Sequence, residues 1–96
     1  MQRVKERALG EIIRQFLREE GLETPLNEYK AVACWNKVMG DVVARYTSNV
    51  NLRGGILYVN ITSPALRQNM LMNRTAIIHK INNYVGAQVV QNVVIR

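Results

Sequence analysis

The strongest constraint in this chain is the stretch on either side of Gly54-Gly55, where two short runs of alternating apolar and polar residues flank the glycine pair. Before it, Tyr46, Val50 and Leu52 alternate with Thr47, Asn49, Asn51 and Arg53; after it, Leu57, Val59 and Ile61 alternate with Tyr58, Asn60 and Thr62. A period of two marks a half-buried strand, so the stretch predicts a hairpin with one apolar and one polar face. Two glycines supply the positive φ angles of a two-residue hairpin turn, and the turn then fixes the register. Ser63-Pro64 stops the second strand, because proline donates nothing to a ladder, and offers a serine cap with proline at the first helical position. The rest of the chain has to cover the apolar face.

Three helical patterns are available to do so. Residues 3–20 carry Leu9, Ile12, Ile13, Phe16 and Leu17 at helical spacing, ended by Gly21. This amphipathic helix is expected to pack on its own domain, with a partner-binding role as the alternative. Thr24-Pro25 repeats the cap-then-proline signal, and Leu26, Tyr29, Val32, Ala33, Trp35, Val38, Met39, Val42 and Val43 continue a second helix over 26–45. That helix is expected to bend near Gly40, with Asp41 able to recap it. Trp35 is expected to be a core anchor and Cys34 a small filler. The third helix is predicted over 64–85, stopped by Gly86, with Leu66, Met70, Ile77, Ile81 and Tyr84 on the arc that faces the sheet. Leu71 and Ile78 fall beside that arc, and Met72 and His79 away from it. Arg67 and Arg74 share its flank, two turns apart, where they either meet two phosphates or snorkel over the core edge. Residues 88–96, with Val89, Val90, Val93, Val94 and Ile95 interrupted by Gln91 and Asn92, predict a last strand. Its valine pairs imply burial on both faces, or an apolar face left for a second subunit.

These elements give an α+β fold: two N-terminal helices, a β-hairpin, a long helix and a final strand, with helices on one face of a three-stranded sheet. Ninety-six residues, 48% of them hydrophobic, suit one domain over 1–96, divided into an N-terminal amphipathic helix (1–22) and a core (23–96). The first seven residues are charged rather than signal-like, and no apolar run is long enough to cross a bilayer, so a cytoplasmic protein is expected. A single cysteine fits a reducing compartment.

Charge placement is more informative than the net charge of +6. All seven carboxylate side chains lie at or before Asp41, balanced there by seven basic residues. Residues 42–96 contain none, and Arg45, Arg53, Arg67, Arg74, Lys80 and Arg96 supply the whole excess. A field of one sign attracts a polyanion. The same distribution argues against an enzyme. One histidine, one cysteine and no carboxylate in the second part leave neither a metal cluster nor a spaced acid–base pair, and no phosphate-binding glycine loop is present. No cofactor is expected.

Trp35-Asn-Lys-Val-Met-Gly40, the hairpin from Val50 to Val59, Ser63-Pro-Ala-Leu-Arg-Gln-Asn-Met70 and Ile81-Asn-Asn-Tyr-Val-Gly86, in this order, resemble the DciA family. The likeness covers nearly all of the chain from the second helix onward. It implies a KH-like fold and a role in DNA replication, as an accessory that binds DNA and helps a DnaB-type replicative helicase load or operate. Trp35, Gly40, Leu57, Val59 and Met70 match structural positions of the family, and Leu66 stands where the family often has an aromatic. Longer relatives carry a flexible basic extension, whereas this sequence stops at Arg96. No Gly-x-x-Gly loop stands between helices, so the backbone clamp of KH domains is not expected.

The expected nucleic-acid surface is the polar face of the hairpin, Asn49, Asn51, Arg53, Tyr58, Asn60 and Thr62, joined by Arg45, Arg67, Arg74 and Lys80. Arginine neutralises phosphate, asparagine supplies donors and acceptors, and tyrosine offers one stacking surface. A single aromatic is few for a base-stacking platform, so binding to single-stranded or duplex DNA with little sequence preference is expected. A solvated polar face is the competing expectation. The alternative function is a protein-interaction adaptor, with the helicase or a second copy of the chain as partner through the first helix or an exposed edge of the last strand.

Overall fold

The computed structural model describes the backbone of residues 2–96 and the side chains of 8–96. The expectation that the first seven residues are not a signal sequence lies outside the described side chains. Among the described residues six helices and three strands follow the order α1 (Gln2–Glu19), α2 (Glu23–Ala33), α3 (Trp35–Met39), α4 (Asp41–Arg45), β1 (Thr47–Arg53), β2 (Ile56–Ile61), α5 (Pro64–Met72), α6 (Arg74–Val85) and β3 (Asn92–Ile95). The protein is α+β. Its sheet has the order β1-β2-β3, with β2 antiparallel to β1 and parallel to β3, so β3 returns by a helical crossover.

The hairpin forms as its alternation requires. Arg53 pairs with Ile56 across Gly54-Gly55, whose φ angles of 57° and 80° are those of a mirror-image turn. Leu57, Val59 and Ile61 are buried on the inner face, and Val50 and Leu52 are partly buried against them. The first strand begins one residue later than Tyr46. A bulge between Thr47 and Asn49 shifts the pairing, so Thr47 turns inward and pairs with Ile61 while Tyr46 stays exposed. Thr47 is recruited by Trp35: the indole Nε1–H donates to Thr47 Oγ1 at 3.0 Å, and that hydroxyl donates to the Val43 carbonyl at 2.7 Å.

The core gathers Ala31, Cys34 and Trp35 from the N-terminal helices, Met70, Ile77 and Ile81 from α5 and α6, and Val90, Val93 and Ile95 with the inner face of β2. Trp35 is the anchor expected of it. The third helix is broken: α5 ends at Asn73, whose Nδ2 donates to the Asn69 carbonyl at 2.8 Å, while its backbone N–H moves to Met70 O at 3.0 Å. An asparagine side chain that competes for an i−4 carbonyl is a known helix breaker. The start and stop are as expected, since Ser63 Oγ accepts from Leu66 N–H and Gly86 takes a left-handed φ of 82°. Tyr84, placed on the inner arc by periodicity, is instead half-exposed: Ile77 and Ile81 on the same helix are buried as expected, while Tyr84 lies in the last turn of α6 with the Lys37 ammonium 5.4 Å from its ring centroid.

The second helix is divided further, into α2, α3 and α4. The first break is at Cys34 and the second at Gly40, whose φ of 90° no other residue type adopts easily. Thr24 does not cap: α2 starts at Glu23 after Leu22, and Pro25 falls in the first turn, where a missing N–H costs nothing. Asp41 likewise sits inside the first turn of α4 rather than capping it.

Two expectations about burial change. The last strand is shorter than 88–96: Gln91 and Asn92 bond to the Gly55 carbonyl, and Val90 is held outside the ladder by Asn82, which donates to Val90 O at 2.8 Å and accepts from Val90 N–H at 2.9 Å. Asn82 is the buried polar residue among those described. The apolar stripe of α1 does not pack on the domain. Leu9, Ile12, Ile13 and Phe16 are 49% to 62% exposed, and α1 meets α2 as its main neighbour. The sheet's inner face is already covered by α2, α3, α5 and α6, and Gly21, at a φ of 68°, directs α1 away from it.

Candidate nucleic-acid interface

Among the described residues no helix covers the outer face of the sheet in the hairpin region, and its side chains stand in rows fixed by strand register. Asn49 lies across from Asn60, Asn51 from Tyr58 and Arg53 from Ile56; on the other side of β2, Tyr58 is level with Val94. Arg96 extends the parallel ladder by one residue, with its N–H on the Val59 carbonyl and its own carbonyl accepting from Ile61 N–H. Its side chain therefore emerges on the outer face. There the guanidinium carbon lies 5.2 Å from the Tyr58 ring centroid, and Nε donates to Asn60 Oδ1 at 3.3 Å.

Asn49, Asn51, Arg53, Tyr58 and Arg96 together line an open concavity of about 390 Å³. Two guanidinium groups face it, no carboxylate side chain occurs anywhere in residues 42–96, and the asparagine amides offer both donors and acceptors. One face of the Tyr58 ring is taken by Arg96 in a cation–π contact, which leaves the arginine's outward N–H groups for an anion. The arrangement suits a phosphate-bearing backbone better than a stack of bases.

The expected residues divide into two groups. Asn49, Asn51, Arg53, Tyr58 and Asn60 are brought together on one face. Arg45, Arg67, Arg74 and Lys80 are not among the residues lining it. Arg45 is exposed in the last turn of α4, where a cation complements the helix C-terminus. Arg67 is half-buried and donates from Nη2 to the Ile61 carbonyl at 2.9 Å, with Nε buried and unpaired among the described residues. Of the two roles open to the Arg67–Arg74 pair, Arg67 takes the structural one; Arg74 donates to Asn92 Oδ1 at the start of β3. Lys80 stands on a separate groove of about 240 Å³ between α3–α4 and α5–α6, beside Met39, Val43, Leu66 and Ile77. Thr62 is turned to the Tyr46 carbonyl at the sheet's end.

Arg96 is the site residue that sequence reasoning missed. The signal was present: with Val93 and Ile95 buried, strict alternation sends Arg96 to the outer face. The buried Cys34 thiol is pushed above its ordinary pKa by desolvation and bonds to the Ala31 carbonyl, which keeps it protonated and unreactive. Among the described residues, no three His, Cys, Asp or Glu side chains are placed to hold a metal ion, and no helix is long and apolar enough to cross a membrane.

None of the curated proteins compared with the chain matches it. The family model described as "Dna[CI] antecedent, DciA" matches residues 8–95. That match takes in the hairpin, the helix breaks at Cys34, Gly40 and Asn73 and the final strand, and the protein therefore belongs to the DciA family, a family associated with loading of the replicative helicase.

Proposed function

We propose that this protein is a non-enzymatic, DNA-binding accessory of DNA replication that assists a DnaB-type replicative helicase in the cytoplasm. Family membership supports the helicase-associated role. The observation that carries DNA binding is the convergence of Arg53, Arg96, Tyr58, Asn49 and Asn51 on one open sheet face, in a part of the chain without carboxylate side chains. Arginines on such a face exchange condensed counterions for phosphate contacts, so affinity is salt-dependent and indifferent to sequence.

We read the order of two strands, two helices and a strand, with β3 parallel to β2, as KH-like. The α5–α6 junction is built on Asn73 rather than on a Gly-x-x-Gly loop, and the outer sheet face takes over phosphate contact from that loop. Arg67, Arg74 and Lys80 contribute long-range field rather than direct contacts.

The test is a fluorescence-anisotropy titration of labelled single-stranded and duplex DNA at low and moderate salt, paired with a pull-down of the cognate replicative helicase. Binding that weakens steeply with salt, at similar strength for unrelated sequences, is expected. No binding at low salt, together with retained helicase capture, overturns the DNA-binding role and leaves an adaptor.

A further inference from the structure

We propose that the exposed stripe of α1 is the contact between two copies of this chain, which pair through antiparallel α1 helices about a two-fold axis. The stripe is real surface: Leu9, Ile12, Ile13 and Phe16 fall within one arc of about 100° on an 18-residue helix. Each is at least 49% exposed. The helix extends the molecule, whose radius of gyration of 15.8 Å exceeds the roughly 12.5 Å of a compact domain of this length.

Three observations select a second copy as occupant. The four exposed positions read the same from either end, with steps of three, one and three residues about the midpoint of Ile12 and Ile13, while Leu17 at the edge of the stripe is half-buried. A two-fold interface requires such self-complementarity, because residue i meets residue j and j meets i. Antiparallel pairing sets Leu9 against Phe16 of the second copy and Ile12 against its Ile13. Charge placement agrees with a second copy. Residues 1–41 are electrically balanced as a whole and the excess of +6 lies beyond them; α1 itself carries five basic and three acidic side chains, and the antiparallel register sets Glu11 level with Arg14 of the second copy while the basic sheets stay apart.

Size is the third observation. From their exposed fractions the four side chains present roughly 450 Å² per copy, so a pair covers about 900 Å², at the lower end for a specific and reversible interface. Ala8 and Gly10 flank the stripe on its two sides and add little bulk beside it. The pairing is independent of DNA binding, since the stripe and the sheet face share no residue.

Sedimentation of the full chain across about 1–300 µM tests the proposal, since an interface of this size associates in the micromolar range or above. The mass should rise from 11.0 kDa toward twice that value, and Ile12→Asp with Ile13→Asp should hold it at 11.0 kDa with an unchanged circular dichroism spectrum. Leu9→Cys and Phe16→Cys variants, mixed and oxidised without denaturant, should give the mixed disulfide at several-fold excess over either self-linked product; the native Cys34 is buried and should not compete. A monomer at every concentration overturns the proposal. So does dimerisation that survives the double aspartate variant, or oxidation that links each cysteine variant chiefly to itself.

Discussion

Arg96 stacks over Tyr58, its guanidinium carbon 5.2 Å from the ring centroid, and so ties the end of the final strand to the centre of the polar sheet face. The contact places a fixed charge where the sequence offers a bare aromatic. It explains why this face favours phosphate over base: the one ring available for stacking already has a cation upon it, and that cation keeps free donors. Tyr58→Phe keeps the ring and should bind DNA within about twofold of wild type, whereas Tyr58→Ala frees the arginine to move and should weaken binding about threefold to tenfold in anisotropy, a loss of order 1 kcal/mol.

The buried Trp35–Thr47 bond holds the first strand to the helices through its bulge. Trp35→Phe removes the donor and leaves some empty volume, and should lower the unfolding free energy by about 2–3 kcal/mol in urea titration. Thr47→Val should cost about 1–2 kcal/mol. Their double variant should fall short of the sum, because both remove one bond.

Asn82 satisfies both backbone groups of Val90 in the interior. Asn82→Leu keeps the branched shape with bulkier ends but strands a buried N–H and a buried carbonyl, and should destabilise the domain by about 3 kcal/mol or more, measured as a fall in the denaturant midpoint. Surface substitutions such as His79→Ala should stay within about 0.5 kcal/mol.

Arg67 and Arg74 separate by their surroundings. Arg67→Ala loses a bond to the Ile61 carbonyl and the cover its stem gives, and should cost about 1–2 kcal/mol in stability. Arg74→Ala, at an exposed position, should cost less than about 0.5 kcal/mol. Thermal melts of the two variants check the contrast.

Burial holds the Cys34 thiol protonated above its ordinary value of 9.0. The unfolded chain ionises first, so this contribution to stability is complete below that value and is lost as pH rises through the higher folded-state value. Denaturant midpoints should therefore decline between about pH 8 and pH 11, and the decline should be shallower in Cys34→Ala than in wild type. The difference between the two proteins isolates the contribution of the thiol.

Local chemistry made some elements legible and tertiary competition hid others. The hairpin could be read because period-two alternation and Gly54-Gly55 act over adjacent residues, and Ser63-Pro64 and Gly86 mark helix ends by backbone geometry alone. The break at Asn73 could not be read from apolar periodicity, which runs through it; it arises from Asn69 and Asn73 four residues apart, whose side chain and backbone compete for one carbonyl. Thr47 counted as polar-face until Trp35 drew it inward. On the sheet, five of the expected side chains share a face because register is local, whereas Arg67 and Arg74 lie on helices whose rotation depends on the whole core. The exposure of the α1 stripe was hidden for a related reason: a helical pattern says that a face is apolar, not what covers it.

The central claim is that the sheet face built by Arg53 and Arg96 neutralises DNA phosphates. Its most direct test is the salt dependence of DNA affinity, by anisotropy, for wild type and for Arg53→Glu with Arg96→Glu, after circular dichroism shows the variant folded. The account predicts at least a tenfold loss of affinity at low salt, and a slope of log K against log salt shallower by about 1.4 to 1.8, the share of two phosphate contacts. Equal affinity and equal slope for the two proteins would contradict it and move the DNA contact, if any, away from this face.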